Sequence, residues 1–326
     1  MSKIKTNKYR TIFQLLFLTL LSCLKTPKDE EGGEILSMEG YNLYVKDKGS
    51  GEPTVIIENG LACKTLEYDD LQKNILQYTR VISYDHAGIG RSRKFIDRLQ
   101  YKISKYCKTI SLDKIGVGKT TMKTRPRTLA NYAEELRALL NYKHLAPPYI
   151  LVGHSMGGFF IRYYAHLYPE EVAGLVFIEA IHEDWLLYMR SHHTMEELIN
   201  FNNFWEPEKS SYTGGDLIEL SYYKGICDSI RGIKVPPDIP VKMYTGTVVG
   251  EWANSFGYTP KDMQVWAELQ HSTLDGVNDV EHFIDEKTGH RFHIENPLPV
   301  ENGIKELVNE YRQKINKRLN ETQKPE

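Results

Sequence analysis

Hydrophobic residues along this chain are gathered into short unbroken runs separated by polar stretches. Thr54-Val55-Ile56-Ile57, Arg80-Val81-Ile82-Ser83-Tyr84, Tyr149-Ile150-Leu151-Val152, Gly174-Leu175-Val176-Phe177-Ile178 and Val241-Lys242-Met243-Tyr244-Thr245 each have strand length. Continuous apolar runs of this kind predict strands covered on both faces. Between residues 34 and 47 the pattern alternates instead, with Ile35, Leu36 and Met38 before Gly40 and Tyr41, Leu43 and Val45 after it. That alternation predicts a hairpin. From Thr128 to Leu145, apolar residues recur at Leu129, Tyr132, Ala133, Leu136, Leu139 and Leu140. The spacing is helical, and Thr128 is placed to cap the N-terminus. A last strand is expected near 280–285, and a helix from about Val300 to Leu319. Strands alternating with helices predict a mainly parallel sheet with helices on both faces, and such sheets bind ligands at the carboxyl ends of their strands.

Two stretches interrupt the alternation. Residues 93–127 are rich in Lys, Arg, Thr and Tyr and show little periodicity, so they read as an insertion. Within them, Gly116-Val117-Gly118-Lys119-Thr120 resembles the end of a phosphate-binding loop. The full motif needs glycine at 113, where the chain has Asp113, and no buried strand precedes it. Nucleotide binding is therefore not expected. Residues 182–238 carry Trp185, Phe201, Phe204, Trp205, Tyr212, Tyr222 and Tyr223 between two sheet strands. They predict a helical lid, its aromatic residues serving either core packing or a pocket wall.

The decisive punctuation is Gly153-His154-Ser155-Met156-Gly157, where an apolar strand stops abruptly and a helical pattern begins at Phe159 and Phe160. A G-x-S-x-G turn between strand and helix lifts a serine hydroxyl clear of the sheet, with glycines allowing the two elements to approach. The helix start adds backbone N–H groups and a positive dipole end, suited to a developing oxyanion.

Composition narrows the function classes. The chain has 326 residues, 41 basic and 43 acidic, for a formal net charge of -2. Nothing there favours nucleic acid as a partner. The N-terminus reads as a secretory signal: Lys3, Lys5, Lys8 and Arg10, then an apolar segment from Ile12 to Leu21 too short to span a membrane. Leu20-Leu21-Ser22-Cys23 resembles the lipobox of bacterial lipoproteins. The resemblance implies cleavage before Cys23, lipidation of that residue, and an extracytoplasmic protein held to a membrane surface, on its periplasmic or exterior face. Of the four cysteines, Cys63, Cys107 and Cys227 then remain, so at most one disulfide could form. No cysteine or histidine spacing suggests a metal site, and the His192-His193 pair is expected to be solvated.

Taken together, these residues resemble the α/β-hydrolase superfamily from about 35 to 315. Glu58-Asn59-Gly60-Leu61 stands where the family places its first oxyanion donor, and Asp85-His86-Ala87-Gly88-Ile89-Gly90-Arg91-Ser92 matches its D-x-x-G-x-G-x-S turn. Gly289-His290 matches the loop bearing the catalytic histidine. The text from Val172 to Asp184 resembles a branch of members without assigned function, from which the 93–127 insertion departs. The implied organisation is a signal peptide 1–22, a polar tether 23–34, a core of 35–181 and 239–319, a lid 182–238 and a polar tail 320–326.

The resemblance implies Ser155 as nucleophile and His290 as its base, with His293 a decoy and His154 structural or a pocket wall. Backbone N–H groups of Leu61 and Met156 would bind the oxyanion. The acid has two candidates. Many relatives carry it after the strand equivalent to Val241–Thr245, but Gly246-Thr247-Val248-Val249 places valine there and leaves Glu251 as the nearest carboxylate. Glu179, after the preceding strand, stands where one group of haloalkane dehalogenases carries its acid. Glu179 is favoured, with pairing to a structural arginine as its bland alternative; Glu183 and Asp184 stand further out. The expected activity is that of a serine hydrolase, a carboxylesterase using an acyl-enzyme on a small-molecule ester, without metal or organic cofactor. A peptidase or thioesterase of the same fold, or a non-catalytic ligand-binding protein on this scaffold, are the alternatives. Oligomeric state is left open.

Overall fold

The structure is a computed structural model that describes residues 34–38, 41–61, 68–75, 78–84, 108–109, 126–210, 212 and 214–322. Cys23, Cys63, Cys107, the Asp85–Ser92 turn and Gly116–Thr120 lie outside them.

The strands are β1 (Glu34–Met38), β2 (Tyr41–Gly49), β3 (Thr54–Glu58), β4 (Val81–Tyr84), β5 (Lys108–Thr109), β6 (Tyr149–His154), β7 (Val172–Ile178), β8 (Val241–Gly246) and β9 (Val280–Asp285). They form one sheet in the order β1-β2-β4-β3-β6-β7-β8-β9, with β5 against β2. β1 and β2 are the expected hairpin, paired Met38 to Tyr41. From β4 to β9 all pairings are parallel. The segment read as a featureless insertion contributes β5, two residues antiparallel to Lys48 and Gly49. So short a strand follows its partner's register and leaves no periodic signature of its own.

The unbroken apolar runs have their explanation in the two faces of the sheet. On one face, Ile56, Leu151, Leu175, Phe177 and Met243 join a core that includes Leu136, Leu140 and Ile161. On the other, Val55, Ile57, Val152, Val176 and Ile178 join Leu71, Ile75, Ile304 and Leu307. Successive side chains of one strand point to opposite faces, and both faces are dry. The helices supplying this cover are α1 (Asp69–Ile75), α2 (Leu129–Tyr142), α3 (Gly157–Leu167) and, at the end of the chain, Pro297–Thr322. Thr128 caps α2 by accepting from the Asn131 N–H at 3.3 Å.

Between β7 and β8 lie α4 (Trp185–His192), α5 (Ile199–Trp205) and α6 (Gly214–Ile230). Their apolar side chains form a third cluster with α7 (Glu251–Ser255) and α8 (Pro260–Ser272), and this cluster reaches Met156 and Phe159 behind the serine turn. The aromatic residues of this stretch divide: Trp185, Phe201 and Tyr223 are buried, whereas Tyr222 is exposed. The chain ends with α9 (Phe292–Glu295) and α10 (Pro297–Thr322). Among the described residues no helix is long and apolar enough to cross a membrane. Cys227 is a buried free thiol whose pKa burial pushes up to about 12.

Candidate active site

Ser155 opens the turn between β6 and α3 with φ of 52°, in the left-handed region a side chain rarely adopts. The turn is held by its own backbone. Ser155 N–H donates to Ile178 O at 3.0 Å, and Ser155 O accepts from Gly158 N–H at 3.0 Å and Ile181 N–H at 3.1 Å. The glycines are required for space. A Cβ on Gly157 would lie 2.3 Å from Glu58 O, because the helix start presses against the end of β3. A Cβ on Gly153 would lie 2.7 Å from Gly157 O. Backbone strain that the surroundings hold in place, at a strand-to-helix turn, marks a candidate functional residue.

A second such residue stands one strand over. Glu179, just past β7, has φ of 48°, and its N–H donates to Tyr244 O at 2.8 Å. Its carboxylate is 1% exposed and held from two sides. Gly246 N–H donates to Oε1, and Trp266 Nε1–H donates to Oε2 at 3.1 Å. His290 brings Nδ1 to 3.5 Å from Oε2. Burial dominates the electrostatics of this pair. It raises the Glu179 pKa to about 8, against the two N–H donors and with help from Glu295. Burial likewise lowers His290 to about 4, with Arg291 acting in the same direction.

His290 follows β9 on a loop with its own supports. Val248 N–H donates to Thr288 O at 3.0 Å, and Gly289 N–H donates to Glu295 Oε2 at 2.6 Å. His154, read from sequence as structural or a pocket wall, ties this loop to the opposite side of the site. Its Nε2 lies 2.9 Å from His290 O, and its Nδ1 lies 2.5 Å from the Tyr68 hydroxyl. A carbonyl only accepts, so Nε2 carries the proton and Tyr68 donates to Nδ1. The Tyr68 oxygen is also 3.5 Å from the N–H of Gly60, beside Leu61. Sequence reasoning missed Tyr68 altogether, and no motif marks it. His293 is 1% exposed and stacks on Tyr68 at 4.4 Å between ring centroids, as befits a core residue.

Ser155, His154, Glu179, His290 and Leu61 share one cavity of about 540 Å³. Glu251 also lines it but is exposed, at the first residue of α7. Of the buried arginines, Arg162 pairs with Glu183: its Nη2 meets both Glu183 carboxylate oxygens at 2.8 Å. Asp184 pairs with Arg231. The His192-His193 pair is not wholly solvated, because His193 Nε2 lies 3.0 Å from Asp262 Oδ1 where α4 meets α8. A second, more open hollow of about 580 Å³ lies between α8 and β9, away from Ser155. Among the described residues no group of three or more His, Cys, Asp or Glu could hold a metal ion.

The alpha/beta hydrolase fold family matches residues 53–219, from β3 through the serine turn into α6. The chain belongs to the alpha/beta hydrolase fold family. Its curated relatives are distant. An "AB hydrolase superfamily protein" of Gibberella zeae is 27% identical over 135 residues, covering 40% of this chain and 34% of that protein. The "Probable transporter efuK" of Hormonema carpetanum is 23% identical over 172 residues, covering 51% of this chain and 21% of that protein. The match thus spans only about a fifth to a third of those relatives. The epoxide hydrolase VrEH1 of Vigna radiata superposes with a TM-score of 0.56 at 15% identity, over 85% of this chain and 97% of that one. That likeness concerns the fold. Family and fold together support a hydrolase.

Proposed function

We propose that this hydrolase cleaves carboxylic esters through an acyl-enzyme, with Ser155 as nucleophile, His290 as base and Glu179 as the acid. In this mechanism His290 Nε2 takes the Ser155 proton as Oγ bonds to the ester carbonyl carbon. The proton passes to the leaving oxygen as the carbon–oxygen bond breaks, releasing the alcohol. Water then attacks the acyl-enzyme with His290 again as base, giving the carboxylic acid and free Ser155. Glu179 fixes the imidazole with its proton on Nδ1. The N–H groups of Leu61 and Met156 bind the oxyanion, each such donor contributing roughly 3–4 kcal/mol of barrier lowering.

The observation that carries this reading is the pairing of a left-handed Ser155 with Glu179 3.5 Å from His290, in one cavity. Serine as the nucleophile, rather than aspartate, disfavours epoxide or haloalkane chemistry. The test is turnover of p-nitrophenyl butyrate together with fluorophosphonate labelling. Ser155→Ala should lose both; a folded protein that neither turns over nor labels would leave the scaffold a ligand-binding one. The lipobox-like Leu-Leu-Ser-Cys supports membrane anchoring through Cys23. Palmitate incorporation that survives Cys23→Ser would overturn it.

A further inference from the structure

The geometry points to an acyl subsite for a flat, apolar acid on the lid side of the cavity, making esters of arylalkyl carboxylic acids with polar alcohols the substrate class. This inference rests on the serine-hydrolase reading above. Two chemically different walls carry it. One is built from Trp185, Phe204, Trp205 and Tyr258. The Trp185 indole N–H is engaged within the protein, donating to Tyr258 Oη at 3.2 Å. Phe204 brings no polar atom, and Trp205 lies against Tyr223 with ring centroids 4.4 Å apart. A guest on this side meets chiefly ring carbon, which suits another ring and offers little to a hydroxyl or charge.

The other wall is polar and belongs to the histidine loop. Arg291 and Glu295 flank His290, and Glu251 stands across the rim; all three are exposed. The direction of the reaction assigns the walls. His290 delivers its proton to the leaving oxygen, so the alcohol departs on the histidine side, among Arg291, Glu295 and Glu251. The acyl group, held by Ser155, then lies toward the aromatic wall. A cavity of about 540 Å³ is within the range of small-molecule sites and accommodates a ring with a short linker.

The experiment varies the acyl group at constant leaving group, using the full chain with p-nitrophenyl acetate, butyrate and phenylacetate, and labels Ser155 with a fluorophosphonate in parallel. The expected result is kcat/KM for phenylacetate about 10–100-fold above acetate, as apolar contacts discriminate by such factors. Trp205→Ala should collapse that ratio toward one through KM, and Phe204→Leu serves the same purpose should the tryptophan variant not fold. A second arm compares glyceryl with octyl phenylacetate, and the glyceryl ester should be preferred. Equal or better turnover of acetate with labelling intact would overturn the subsite and leave the hydrolase reading standing. Loss of both labelling and turnover of every ester would overturn the hydrolase reading and the subsite with it.

Discussion

Gly246, the last residue of β8, donates its backbone N–H to the Glu179 carboxylate projecting from the end of β7. Strand β8 thus supplies a donor to the carboxylate at the end of its neighbour β7. A Cβ at Gly246 would lie 2.4 Å from Thr288 O, so this backbone also abuts the loop leading to His290. Glu179 and the loop carrying His290 meet at one backbone junction.

Glu179→Gln should therefore lower kcat for p-nitrophenyl butyrate by on the order of 10³–10⁴-fold, since the amide favours the wrong imidazole tautomer. Glu251→Gln, at an exposed rim position, should stay within a few-fold of the parent. The opposite ranking would move the acid to Glu251.

The pH profile follows from burial. Glu179 has its pKa raised to about 8, so the free enzyme keeps it protonated below that pH, and a protonated acid cannot hold the imidazole proton on Nδ1. His290, lowered to about 4, stays neutral throughout. kcat/KM should then rise with pH through about 8 and level off, with no ascending limb near the ordinary imidazole pKa. Stability should run the other way. A raised carboxyl contributes stability that is full below its unfolded pKa, is lost as pH rises from there to about 8, and changes no further above it; Glu179→Gln removes that decline. A pH–rate profile beside thermal melts of parent and variant checks both signs.

Tyr68, His154 and the His290 carbonyl form one chain of hydrogen bonds from the Gly60–Leu61 loop to the histidine loop. Tyr68→Phe removes the donor to Nδ1, while His154→Gln can keep a donor to His290 O but not the ring acceptor. If the chain positions both loops, each change should lower kcat about 10-fold with little effect on KM. The double variant should be no worse than either single one. Additive losses would show that the two residues act separately.

The central strands β3, β6 and β7 could be read from the chain because both of their faces are dry. Where both faces are apolar, as at Ile56 between Val55 and Ile57, the strand is a short, unbroken, β-branched run whose length and composition set it apart from a helix. The turn at Ser155 and the loop at His290 were legible because residues of fixed type build them. Glu179 was harder: what distinguishes it is a buried backbone donor from another strand, and sequence distance hides that. Tyr68 gave no signal at all. It belongs to no motif, and its partner His154 lies 86 positions away. His193 misled because an adjacent histidine pair looks solvated until α8 brings Asp262 against it.

The close contact at Gly157 predicts a structural failure distinct from a catalytic one. Gly157→Ala would push a Cβ against Glu58 O, a backbone atom of the central strand β3. The neighbour cannot rotate away, so the cost should exceed the ~1–3 kcal/mol of ordinary overpacking. The variant should melt well below the parent and show weak labelling of Ser155, whereas Ser155→Ala keeps the same Cβ at the same left-handed backbone and should melt close to the parent temperature. Equal melting of parent and Gly157→Ala would mean that β3 and α3 can separate freely.

Arg162 and Glu183 tie the lid to the helix behind the nucleophile. Arg162, on α3, also donates to Ile230 O at 3.2 Å, the last residue of α6, and both charged side chains are under 10% exposed. Removing one member of a buried pair leaves the other charge without its counter-ion, at a cost of about 3–5 kcal/mol. Arg162→Met should therefore lower the melting temperature by roughly 10 °C, given the few degrees per kcal/mol expected at this size. Replacing both, as Arg162→Met with Glu183→Leu, removes the stranded carboxylate and should recover most of that loss. Because α3 begins just after Ser155, the single variant should also slow fluorophosphonate labelling, and the double variant should restore it together with stability. If the double variant melts no higher than the single one, the pair contributes geometry that apolar packing cannot replace, and labelling would then stay slow in both.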